Sequence, residues 1–375
     1  MLLVPTLSVK ARAETPMPTP EARDASACRE QLRTIVPFVD VAEDATHAEA
    51  IACLWVYGIA TGEFADPGVV FDPGAAVTRE QMASLVVRTL NQLPRDPIPW
   101  SDEPPQSEFE DADRISGVHL GSVVALTDLG IVQGYADNTF RPAEIVDRAQ
   151  MAAYLARTIE EVVGEELDQR VSFDDVSGTH QASIEKLATI GVVQGTAPGV
   201  YQPAGPIQRQ QLASLLTRTL SYLVDQGLLQ PLAFKRTEAG TMSGLVDVDT
   251  QQRAGNDAVT LVLGGDDGRA GWRVRYVHGA FEDGSGAPVE VAGDAVLEVR
   301  IEGMAMPFDL PPDVRDALWD EQRLVVDGPA VVEVVDSGVF EGEHQLFIGT
   351  RGLLPFEVAS LDDPARILIE VEHPS

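Results

Sequence analysis

Thr78-Arg79-Glu80-Gln81-Met82-Ala83-Ser84-Leu85-Val86-Val87-Arg88-Thr89-Leu90 is the stretch on which the fold of this chain turns, because its pattern occurs three times. The second copy starts at Asp147-Arg148-Ala149-Gln150 and the third at Gln208-Arg209-Gln210-Gln211. Apolar residues follow at Met82, Leu85, Val86 and Leu90, at Met151, Tyr154, Leu155 and Ile159, and at Leu212, Leu215, Leu216 and Leu220. Each set reads i, i+3, i+4, i+8, the stripe of an amphipathic α-helix. Thr78 with Gln81, and Asp147 with Gln150, have the form of a capping box, whereas Gln208 is a poor N-cap and predicts a looser helix start.

Working outward, each copy is preceded by the same ordered features. Phe38-Val39-Asp40, Phe109-Glu110-Asp111 and Phe173-Asp174-Asp175 open the three units. A first apolar helix follows and stops at Gly58, Gly130 or Gly191, which suit the left-handed turn after a helix. A second glycine comes four residues later, at Gly62, Gly134 and Gly195. Phe71-Asp72-Pro73, Phe140-Arg141-Pro142 and Tyr201-Gln202-Pro203 then lead into the second helix. Self-similarity of this kind predicts three stacked helix–loop–helix units.

The ordered set resembles the S-layer homology repeat, over roughly residues 36–224. The resemblance implies a pseudo-threefold helical bundle that holds an exported protein non-covalently to secondary cell-wall polysaccharide or peptidoglycan. It also implies that the arginine of the family's Thr-Arg-Ala-Glu signature sits in an inter-repeat groove and contacts the polymer. Carried over, the polymer-binding candidates are Arg79, Arg148 and Arg209, with Thr78. The family's final Glu is Gln in all three copies, and its Thr survives once. Physically, a guanidinium fork matches carboxylate or phosphate, and a helix N-terminus adds favourable field on the same anion. Arg79, with the nearest signature match, is expected to contribute most. Arg88, Arg157 and Arg218 recur near the helix ends, where cations suit the dipole, and are read as structural. His47, His119 and His180 recur before the first helix; packing at the helix start is favoured over a shared metal, so no metal site is assigned.

From Val259 the hydrophobic period shortens to two. Strands are predicted at Val259–Leu263, Trp272–His278, Ala295–Ile301, Leu324–Val326, Val331–Val335, Gln345–Ile348, Phe356–Ala359 and Ile367–Val371, an antiparallel sandwich or open barrel. Glu282-Asp283-Gly284-Ser285-Gly286, Gly338-Val339-Phe340-Glu341-Gly342 and Leu361-Asp362-Asp363-Pro364 resemble the AMIN-like domain of exported actinobacterial proteins, which implies envelope localisation or glycan binding. Trp272 and Tyr276 share one strand face and are read as core rather than as a sugar platform. The expected fold class is therefore α+β multidomain. Its expected parts are a signal-peptide remnant at 1–13, repeats at 36–92, 109–164 and 170–224, a Pro-rich linker at 93–108, a second linker at 225–240, and a β domain at 241–375.

Composition narrows the function classes. Among 375 residues, 59 Asp and Glu against 27 Lys and Arg give a formal net charge of −32, which would be repelled by a nucleic-acid backbone. No apolar run reaches the roughly 20 residues of a membrane span. Leu2 to Val9 followed by Ala11-x-Ala13 reads as the tail of an export signal, with a mature end near Glu14. In an exported chain the two cysteines, Cys28 and Cys53, are expected to pair. No zinc-protease helix or nucleophile elbow is present, so no catalytic residue and no cofactor is assigned. The competing reading is a wall-anchored hydrolase whose active site lies in residues 241–375.

Overall fold

The computed structural model describes residues 28, 38–65, 68–93, 107–235, 242–265, 270–277, 279–283 and 285–374. The expected signal remnant at 1–13, and all of the Pro-rich 93–108 segment but its ends, lie outside these residues.

Three helix pairs form the first part. They are α1 (Ala48–Val56) with α2 (Arg79–Leu90), α3 (Gly117–Asp128) with α4 (Arg148–Val163), and α5 (Gln181–Thr189) with α6 (Arg209–Asp225). A short hairpin, β1 (Glu63–Ala65) and β2 (Gly68–Val70), interrupts the first pair. The stripe read from the sequence is the buried one: Met82, Val86, Met151, Leu155, Leu216 and Leu220 are all sealed from solvent. Each second helix packs on the first helix of another unit: α2 on α3, α4 on α5, and α6 on α1. Just before the second helices the backbone closes a ring of three hydrogen bonds. Val77 N donates to Ile207 O at 3.2 Å, Ile207 N to Val146 O at 3.0 Å, and Val146 N to Val77 O at 2.9 Å. All three units share one apolar core.

The second part is built from two antiparallel sheets over a second core. Its strands are β3 (Ala233–Lys235), β4 (Ser243–Gln252), β5 (Asn256–Gly265), β6 (Gly271–Val277), β7 (Ala280–Phe281), β8 (Pro288–Val289), β9 (Ala295–Glu302), β10 (Arg323–Val325), β11 (Val331–Phe340), β12 (Glu343–Thr350), β13 (Phe356–Leu361) and β14 (Arg366–Glu372). One sheet runs β10-β11-β12-β9-β6-β3 and the other β13-β14-β5-β4, with β7 and β8 as a separate pair. Trp272 and Tyr276 face inward, 6% and 3% exposed, with their polar tips on Ser360 Oγ and Leu354 O. A short α-helix, α7 (Pro312–Arg315), lies beside β4.

Residues 225–240, expected as a linker, do more than join. Ala233–Lys235 extends the six-stranded sheet, while Phe234 packs against the helical core. Leu232 N donates to the buried Tyr57 hydroxyl at 3.2 Å, and Cys28 bridges to Leu232. Burial pushes the Tyr57 hydroxyl pKa up to about 12. Cys28 and Cys53 are joined, with Cα atoms 5.9 Å apart, so the bridge ties α1 to this junction.

Closing that loop stabilises the folded state by about 3.5 kcal/mol in the chain-entropy model. Reduction should therefore move the urea midpoint down by a corresponding amount, and an unchanged midpoint would contradict the assignment. In the β part, the buried Asp257 accepts from Ala330 N at 2.7 Å, Val331 N at 2.9 Å and His373 Nε2 at 3.0 Å. Burial alone would raise its pKa, but the two backbone donors and His373 together hold it below the usual carboxylate value. Its contribution is thus present above the unfolded pKa and lost as pH falls through the depressed folded one. Asp257→Ala should cost about 3 kcal/mol at neutral pH and flatten the acid limb of stability against pH. A variant that keeps the wild-type acid limb would refute this.

Candidate functional site

The loops between the paired helices are shaped by one repeated device. The carboxylate of Asp40 accepts from Phe71 N and Asp72 N, that of Asp111 from Phe140 N and Arg141 N, and that of Asp175 from Tyr201 N and Gln202 N, all at 2.7–2.8 Å. Asp72, Arg141 and Gln202 sit at φ 54°, 57° and 61°, a left-handed conformation that side chains seldom take unaided. The opening aromatic of each unit stacks on the later one, with ring centroids 5.3–5.5 Å apart. It also presses on the second glycine: a Cβ at Gly62 or Gly134 would lie 2.5 Å from Phe38 or Phe109. Gly58, Gly130 and Gly191 adopt φ of 70°, 68° and 76° after their helices.

These loops receive the arginines. Arg79 Nε donates to Phe140 O at 2.7 Å and its Nη2 to Gln133 O at 3.2 Å. Arg148 does the same one unit on, Nε to Tyr201 O at 3.0 Å and Nη2 to Gln194 O at 3.1 Å. Arg209 turns to the first unit, with its guanidinium 4.9 Å from the Phe71 ring centroid. Its buried Nε has no hydrogen-bond partner among the described residues. Each arginine therefore reaches from one unit into the loop of another.

Two grooves open beside them. The first, about 280 Å³, is lined by Arg209, the 60–63 loop, Gln81 and Arg88 of α2, and His119. The second, about 220 Å³, is lined by Arg79, the 133–135 loop, Gln150, Tyr154 and Arg157 of α4, and His180. The recurrent histidines lie against different second helices: His119 Nδ1 is 2.7 Å from Ser84 Oγ and His47 Nδ1 is 2.8 Å from Ser214 Oγ. Ala153 stands where those serines do in the second groove, and there burial, first, and Arg157 lower the His180 pKa. Burial raises the Tyr154 hydroxyl, and takes that of Tyr201, beside Arg148, up to about 12.

Several details depart from the sequence reading. The helix N-termini are not open to an anion. Arg79 N and Glu80 N donate to Glu144 O and Pro142 O, Arg148 N and Ala149 N to Gly205 O and Pro203 O, and Arg209 N and Gln210 N to Ala75 O and Pro73 O. Arg79 is only 4% exposed, with two donors on carbonyls, so its geometry does not single it out for the largest ligand contact. The Thr78 hydroxyl faces its own helix, accepting from Gln81 N at 3.4 Å, and the tighter cap is that of Asp147 on Gln150 N, at 2.7 Å. The start at Gln208 is held from the other side, by Gln211 Oε1 accepting from Gln208 N at 3.1 Å. Arg88 and Arg157 do bind carbonyls after the first helices, Ile59 O and Ile131 O, but both also line the grooves. Sequence reasoning missed that second role, although a stripe through Gln81, Leu85 and Arg88 was there to read.

A family model for the S-layer homology domain matches residues 108–152 and 172–213, and one for the AMIN-like domain matches residues 243–373. The helix pair ahead of residue 108 lies outside both matches. Among known proteins, the cell surface glycoprotein 1 of Acetivibrio thermocellus is 31% identical over 103 residues, 25% of this chain and 4% of that protein. An endoglucanase of Bacillus sp. (strain KSM-635) is 25% identical over 237 residues, 61% of this chain and 24% of the relative. The S-layer protein EA1 of Bacillus anthracis is 34% identical over 100 residues, 26% and 11% of the two chains. The chain thus spans less than a quarter of the length of each of these relatives. The matches thus fall on α3 to α6, which carry S-layer homology domain sequence, and on the two β-sheets, which carry an AMIN-like domain as the C-terminal part of the chain.

Proposed function

We propose that this protein is exported and attached non-covalently to the cell wall, with the grooves between its helix pairs binding secondary wall polysaccharide or peptidoglycan. In this reading residues 38–93 are a third S-layer homology repeat, and the three form a pseudo-threefold bundle. The observation that carries the proposal is the cyclic placement of Arg79, Arg148 and Arg209, each set by one unit into the loop of another, with a groove beside Arg79 and another beside Arg209. The closed backbone ring at Val77, Val146 and Ile207 supports the symmetry. The surface and S-layer names of matched relatives support the location. The AMIN-like domain would add envelope localisation or a second hold on glycan.

The arginines divide by their bonding. Arg79 and Arg148 spend two donors each on loop carbonyls and act as staples between units. Arg209, whose buried Nε is unmatched among the described residues, and the exposed Arg88 line the larger groove and are assigned the anionic ligand. Thr78 is assigned to its capping box rather than to the ligand.

Arg209→Ala should weaken co-sedimentation with purified sacculi by roughly tenfold or more, the value of one charge-assisted contact, while leaving the melting temperature within a few degrees. Arg79→Ala should instead destabilise the helical region by about 2–3 kcal/mol, since it strips two carbonyls of their donor. Unchanged binding by the Arg209 variant would remove the groove assignment. Release of soluble wall fragments by the wild type would favour the hydrolase reading instead.

A further inference from the structure

The larger groove does not end with the helical region. Gln81, Leu85 and Arg88 line it from α2, and Gln92 continues their stripe one turn further, its Nε2 donating to Arg88 O at 3.0 Å. The other amide atom of Gln92, Oε1, accepts from Arg275 Nη1 at 2.9 Å, and Arg275 lies on β6 of the AMIN-like domain. Arg275 is steadied by Glu298, 3.1 Å from its Nε, and beyond these two bonds its remaining donors have no hydrogen-bond partner among the described residues. Arg273 shares its strand face; its Nη2 lies 3.8 Å from Glu343, while its buried Nε has no partner among the described residues. Arg209 and Arg88 thus line the groove, and beyond Gln92 lie Arg275 and Arg273, each beside one carboxylate, Glu298 or Glu343, in a protein whose net charge is −32.

The path crosses a fixed junction. Phe234 pairs with Arg273 in the sheet while packing on the helical core, and Leu232 is held by the Tyr57 hydroxyl. The spacing of the guanidinium groups across this junction is therefore set by the fold.

We propose that the larger groove and the outer face of the six-stranded sheet form one elongated site for a linear anionic polysaccharide, so that a single bound strand touches both domains. This rests on the groove reading above and adds the ligand's shape: a strand recognised along its length, not a terminal sugar alone. Guanidinium forks set at intervals match acidic groups repeated along a polymer. Once the first segment is seated, the second contact is intramolecular and adds affinity without a new encounter.

The test is calorimetric titration of the full chain with secondary wall polysaccharide released from sacculi and fractionated by length. Wild-type affinity should rise by about tenfold between the shortest binding fragments and longer ones. In Gln92→Ala and in Arg275→Gln that increment should vanish, while the shortest fragments bind as before. Gln92→Ala leaves the Glu298 ion pairs intact, so a folding defect in the Arg275 variant would not obscure the answer. Arg209→Ala should weaken all lengths together. A length increment that survives in both variants, or is missing from the wild type, overturns the elongated site and leaves the groove. Failure of every fragment to bind the wild type overturns both.

Discussion

The helical part of this protein depends on a cyclic exchange of backbone hydrogen bonds. The second helix of each unit begins with amides that have no partner within the helix. Another unit supplies the acceptors: Pro142 and Glu144 for α2, Pro203 and Gly205 for α4, Pro73 and Ala75 for α6. Those carbonyls are in place only because Asp40, Asp111 and Asp175 hold the preceding residues in left-handed turns. The arginine at the start of each second helix then reaches over the same turn. Loop shape, helix start and groove are thus one coupled arrangement, and no single unit can complete it.

This coupling explains what was legible in the sequence. The helix stripes, the capping glutamines and the turn glycines are local features, and residues such as Met82, Gln81 and Gly130 announce them directly. Eight predicted strands coincide with β5, β6 and β9 to β14, because alternation in runs such as Val331–Val335 is also local. The sequence does not announce the edge strand β4, where Asp247, Asp249 and Gln251 form a polar outer row. Nor does it announce β3, whose three residues are too few to carry a period. The destination of each helix-start amide was illegible too, since it depends on a partner in another unit, far away in sequence. Electrostatic reasoning therefore placed an anion where a carbonyl sits. The recurrence of Asp two residues after Phe38, Phe109 and Phe173 was visible, but its role as a turn clamp needed the fold.

Imperfect repetition gives the grooves different character. Ser84 and Ser214 hold their histidines, whereas Ala153 leaves His180 without a serine. Arg79 is stapled through Nε and Nη2, whereas the Nε of Arg209 has no partner among the described residues. The disulfide, Tyr57 and Leu232 then fasten the first unit to the β domain, so the groove with the least-satisfied arginine is also the one beside that junction.

The central claim, that wall polymer is held between helix pairs, is tested most directly by hydrogen–deuterium exchange with and without saturating soluble wall polysaccharide. The helix-start amides are already bonded and should change little. The account predicts slowed exchange in the 60–63 and 133–135 loops that border the two grooves. Protection confined to residues 243–373, with both loops unchanged, would contradict it.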